Sequence, residues 1–143
     1  MKIFVRKMVC VLLAFGIAGS VLTSCMKEEY TFSIYIEVGA VTKNSASCIV
    51  RIIADSGSEG IYKQSPQLGV IWDMNSYPTQ KTASMLGNRS VGTIGDQQST
   101  LQISNLQPNT TYYVQALVEF MGNNISYGKI AYGPVVTFRT LPE

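Results

Sequence analysis

The chain of 143 residues has no histidine and a single tryptophan, and only 14% of its residues are Asp, Glu, Lys or Arg. Without histidine it lacks the side chain most often used for proton transfer near neutral pH and the commonest neutral metal ligand. Glu37, Asp55, Glu59, Asp73, Asp96 and Glu119 are scattered singly, so no expected strand face carries the carboxylate pair that glycoside hydrolysis requires. The sequence therefore assigns no catalytic and no metal-binding residue, and a small hydrolase is the remote alternative. A helical stripe of useful length is also missing. The one long apolar run, Met8 to Leu22, has 15 uncharged residues, fewer than the roughly 20 that a helix needs to cross the hydrocarbon core of a bilayer.

That run follows Lys2, Arg6 and Lys7 and ends at Leu22-Thr23-Ser24-Cys25. A basic start, an apolar stretch and small residues before a break is the layout of a cleaved targeting segment. The tetrapeptide resembles the processing site of bacterial lipoprotein precursors, which implies residues 1–24 as signal peptide and Cys25 as the lipidated mature N-terminus. A diacylglycerol and an N-acyl chain, such as palmitate, are then expected on Cys25, with no other cofactor, and the partner is membrane lipid. Each buried methylene contributes about 0.8 kcal/mol, and two or more chains make the anchor stable. Met26-Lys27-Glu28-Glu29 follows directly. Lys27, Glu28 and Glu29 resemble the export signal of Bacteroidetes surface lipoproteins, while the same residues also read as a solvated charged tether over 25–30. No aspartate follows Cys25, which in lipoproteins of this type favours the outer membrane.

Removing 24 residues leaves 119, enough for one domain with a core that needs neither metals nor disulfides. Three of the eleven basic residues go with the leader, leaving eight against nine acids and a net charge of −1. The positive balance of the whole chain thus belongs to the targeting segment. No basic stripe remains for nucleic acid. Cys10 leaves with the leader and Cys25 is the lipid site, so Cys48 reads as a small buried hydrophobe.

The dominant period along the rest of the chain is two. Phe32, Ile34, Ile36 and Val38 alternate with polar neighbours, as do Ala46 to Ile52, Leu68 to Trp72, Leu101 to Ile103, Tyr112 to Phe120 and Val136 to Phe138. Gly, Pro and Asn clusters separate these runs, among them Asp55 to Gly60, Asn75 to Pro78, Gly92 to Asp96 and Pro108-Asn109. Six or seven short strands with such punctuation predict an all-β antiparallel sandwich over residues 31–141.

Leu106, Pro108, Thr110 and Tyr112 resemble the turn into strand F of fibronectin type III domains. The resemblance makes Tyr112 the corner tyrosine, whose hydroxyl returns to a backbone group upstream, and Pro108 the residue that presets the turn. Leu68 to Trp72 resembles strand C with its core tryptophan, and Tyr132 to Thr140 the closing strand G. The chain is similar to the immunoglobulin-like, fibronectin-like modules of Bacteroidetes surface lipoproteins. It departs from them in the eleven residues between Phe120 and Tyr132, and between Asp73 and Ser99, where no strand assignment is clear. The template places the N-terminus, the loop with Tyr62 and the loop with Tyr127 at one pole, and Tyr77, Pro108 and Glu143 at the other.

Tyr62, Tyr77 and Tyr127 are the candidate ligand contacts, each beside Gly, Pro, Ser or Asn in an expected loop, although single exposed aromatics are also ordinary surface features. Trp72 fits the core better than a sugar platform. The expected role is a non-enzymatic outer-membrane lipoprotein that tethers, adheres or binds at the cell surface. The alternative is a structural accessory subunit of an outer-membrane glycan-handling or transport assembly, with a protein or glycan partner.

Overall fold

The computed structural model describes the backbone of residues 2–12, 23–78, 89–121 and 130–143, with side chains from residue 30 onward in those ranges. The strands are β1 (Lys2–Leu12), β2 (Thr23–Val41), β3 (Ala46–Ala54), β4 (Pro66–Asp73), β5 (Arg89–Ile94), β6 (Gln98–Ile103), β7 (Thr111–Phe120) and β8 (Ile130–Arg139). A 3-10 helix, Glu59–Gln64, lies between β3 and β4. Two four-stranded sheets form, in the orders β1-β2-β3-β6 and β5-β4-β7-β8, and every pairing is antiparallel. The fold is an antiparallel β-sandwich, the class expected from the alternation.

Period two places one face of each strand between the sheets. Phe32, Cys48, Val50, Leu68, Val70, Ile103, Val114, Ala116 and Val118 are all at 0% exposure. Phe32 of β2 meets Phe120 of β7 edge to face across the sandwich, with centroids 5.5 Å apart, a preferred aromatic geometry. Trp72 lies in the same core.

Strand boundaries depart from the sequence reading in three places. β2 starts at Thr23, because Cys25 to Tyr30, expected as a tether, pair with β1 from Cys10 back to Val5. Tyr30 is buried, at 5% exposure. A strand that alternation did not reveal, β5, pairs with β4 between Gln67↔Ile94 and Ile71↔Arg89. β8 begins at Ile130, two residues before the Tyr132 at which the resemblance starts the closing strand. Its register against β7 shifts between Gln115↔Val135 and Leu117↔Tyr132, so Gly133 and Pro134 form a bulge opposite Ala116. A bulge accommodates a proline that has no N–H to give the ladder. Gly133 is required there: a Cβ would lie 2.8 Å from Ile34 Cγ2 and 3.1 Å from Ala116 Cβ.

Candidate functional site

Hydrogen bonds fix which turns share an end of the sandwich. Leu106 N–H donates to Asn44 O, Asn109 N–H to Leu141 O, and Leu141 N–H to Thr42 O. The β2–β3 turn, the β6–β7 segment and the C-terminus therefore sit at one pole. At the opposite pole, Asp55 N–H donates to Thr31 O, Gly95 N–H to Pro66 O and Met121 N–H to Ser65 O. This second pole gathers the β3–β4 segment, the β5–β6 turn and the end of β7.

At the first pole the β6–β7 segment is tied down by its own polar residues. Tyr112 Oη accepts the Gln107 N–H at 3.0 Å. Thr140 Oγ1 donates to Gln107 O at 2.6 Å and accepts the Thr110 N–H at 2.9 Å. Asn109 takes a positive φ of 51°, which asparagine tolerates, and its Oδ1 accepts from Arg139 Nε and Nη2 at 3.1 and 3.0 Å. Asn105, at φ 60°, turns the chain out of β6.

Beside this corner the edge strands β5 and β6 of the two sheets face each other. At Gly92 they lie so close that a Cβ would clash with Ser99 Oγ. Towards the pole the gap widens into an open cleft of about 550 Å³, within the range of small-ligand sites. β4 contributes Trp72 and Asp73 to it, followed by Met74, and β5 contributes Arg89 and Ser90. From β6 and its exit come Gln102, Ser104, Asn105 and Leu106, with Tyr112 of β7 behind them.

Arg89 and Asp73, the charged residues that border the cleft, both have partners. Arg89 Nη2 lies 2.6 Å from Glu119 Oε2 in a partly buried ion pair. Tyr132, close to that pair, is held above its ordinary pKa by burial, with the Glu119 carboxylate adding to the rise and the Arg89 guanidinium opposing it. Asp73 is 5% exposed, and its Oδ1 accepts from the N–H and the Nδ2 of Asn75, each at 3.3 Å. No group of three or more His, Cys, Asp or Glu able to hold a metal ion occurs among the described residues.

The residues singled out from sequence are distributed as follows. Trp72, Leu106 and Tyr112 are buried, at 8%, 6% and 5% exposure, and all three border the cleft. Pro108 is half-buried in the β6–β7 turn. Tyr77 stands 80% exposed beyond the end of β4. Tyr62 is not the loop contact it was expected to be: it lies on the 3-10 helix, half-buried against the core, and its hydroxyl accepts the Ala54 N–H at 2.8 Å. Ile61, at 0% exposure, and the Ser58 Oγ, which accepts the Thr31 N–H at 2.9 Å, hold that segment inward. Tyr127 lies outside the described residues. Cys25, Lys27, Glu28 and Glu29 are on β2, with Cα partners Cys10, Met8, Lys7 and Arg6 on β1. Cys48 is fully buried, and burial pushes its thiol up to about 11.

The sequence reading missed Ser90, Gln102, Ser104 and Asn105. Each is an ordinary polar residue at a strand end, and the strands that bring them together lie in different sheets.

No family model and no curated protein matches the chain. Among solved structures it is similar to the sensor domain of the anti-sigma factor RsgI4 of Pseudobacteroides cellulosolvens. One structure of that domain, in solution, shares 20% identity, covers 78% of this chain and 74% of its own, and superposes with a TM-score of 0.47. A shorter form of the same domain shares 17% identity over 80% of this chain and 96% of its own, also at 0.47.

Proposed function

We propose that the protein is a lipid-anchored, non-enzymatic binding module of the bacterial outer membrane, held through Cys25 with the cleft pole directed away from the bilayer. The observation that carries this reading is the position of the cleft at the pole opposite Thr31, where the domain leaves the segment that leads back to Cys25. Six residues of extended chain separate Cys25 from Thr31 and span about 20 Å at most. That is shorter than the ten-residue strand β7, which at about 3.3 Å per residue runs roughly 33 Å. The β3–β4 segment thus stays near the headgroups, and Tyr77 and Glu143 face outward.

Cleavage before Cys25 would remove β1. Because β1 is an edge strand of its sheet, its loss interrupts no other pairing, and β2-β3-β6 remain stacked on β5-β4-β7-β8. No helix among the described residues is long and apolar enough to cross a membrane, so anchoring in this reading falls to the acyl chains. Lys27, Glu28 and Glu29 supply the signal for surface display. Growth with an alkyne-tagged palmitate should label the wild-type protein and leave Cys25→Ala unlabelled. Label retained on Cys25→Ala contradicts the anchor.

A further inference from the structure

We infer that the cleft between β5 and β6 binds a neutral saccharide. The inference deepens the binding-module reading and rests on it. Five polar groups border the cleft without a hydrogen bond from their side chains to any described residue: the Trp72 indole N–H, the hydroxyls of Ser90 and Ser104, and the amides of Gln102 and Asn105. The indole N–H is a donor, and the hydroxyls and side-chain amides both donate and accept. They come from three separate strands or strand ends and border one space: Gln102, Ser104 and Asn105 are exposed, Ser90 is half-buried and Trp72 is buried.

Their chemistry selects among ligand classes. An anion would need uncompensated positive charge, but Arg89 is paired with Glu119 at 2.6 Å and the acidic residue Asp73 also lines the cleft. An apolar ligand would leave the amides and hydroxyls desolvated and unpaired, at a cost in affinity. A sugar has hydroxyls that both donate and accept, matching the amides and the serine hydroxyls, and C–H faces that suit Met74 and Leu106. The cleft volume of about 550 Å³ admits one or two rings of an open-ended chain, with Tyr77 exposed beyond the end of β4.

Trp72 is the only tryptophan of the chain, so its emission reports on this cleft alone. The mature lipoprotein in a sugar-free zwitterionic detergent would be titrated with hexamers of β-1,4-glucan, β-1,4-xylan, β-1,3-glucan and α-1,6-mannan, and with an oligouronate of the same length. At least one neutral hexamer should shift the emission saturably, and the oligouronate should not. Gln102→Ala, at an exposed position, and Asn105→Gly, which retains the positive φ, should each weaken binding about three- to tenfold, the loss of one hydrogen bond. Equal far-ultraviolet circular dichroism of the variants shows that they fold. No shift with any neutral hexamer, a stronger response to the oligouronate, or affinity unchanged in both variants overturns the inference. A failure here leaves the lipid-anchor reading standing, because palmitate labelling of Cys25 involves no ligand.

Discussion

Tyr112 Oη sits 3.0 Å from the amide nitrogen of Gln107, five residues upstream, while its ring stacks on Phe138 with centroids 5.8 Å apart. One side chain therefore joins β7, β8 and the turn from β6. Because that turn also borders the cleft through Ser104, Asn105 and Leu106, the corner positions the groups assigned to ligand binding. Tyr112→Phe keeps the ring and loses the acceptor. It should lower stability by about 1 kcal/mol, the usual net worth of one such bond, read as a lower denaturant midpoint at unchanged slope. An unchanged midpoint would remove the corner from the account.

Gly133 tests how closely the sheets approach. Gly133→Ala puts a methyl group 2.8 Å from Ile34 Cγ2, and overpacking of this kind costs about 1 to 3 kcal/mol. Pro134, on the same bulge, is exposed, so Pro134→Ala should change stability by less than about 0.5 kcal/mol. Thermal melting of the two variants side by side should separate them clearly, and equal effects would contradict the bulge register.

Cys48 should be inert while the protein is folded. Burial raises its pKa from 9.0 to about 11, so at pH 8 it holds roughly a hundredfold less of the reactive thiolate than an unperturbed thiol. The neutral thiol is compatible with the core below pH 9, and the stability it contributes is lost as the pH rises through about 11. Iodoacetamide at pH 8, with the Cys48 peptide followed by mass spectrometry, should modify it only in denaturant. Rapid modification in buffer would show that the site opens.

The alternation of Phe32 to Val38 and Tyr112 to Phe120 made the sandwich legible, because inward residues must be apolar on every second position when one face meets a core. β5 was hidden for the same physical reason: on an edge strand with Val91 and Ile94 exposed at 44% and 50%, neither face is distinctly apolar. Tyr62 was misplaced because its anchor is the backbone amide of Ala54, eight residues away, a contact that composition does not announce. Among the cleft residues, Trp72, Leu106 and Tyr112 stood out from sequence as core or turn residues. The polar groups beside them did not, since serine and glutamine at strand ends have no pattern until the sheets are stacked.

The central claim, a surface anchor with the cleft pole outward, is tested most directly by epitope accessibility on intact cells. One short tag would follow Glu143, at the cleft pole, and another would be inserted at Gly57, which is exposed at the opposite pole and has open space around it. Antibody should bind the Glu143 tag strongly and the Gly57 tag weakly, with the two equalised after the protein is released in detergent. Equal binding on intact cells, the reverse order, or no binding of either tag until the outer membrane is opened would contradict the account.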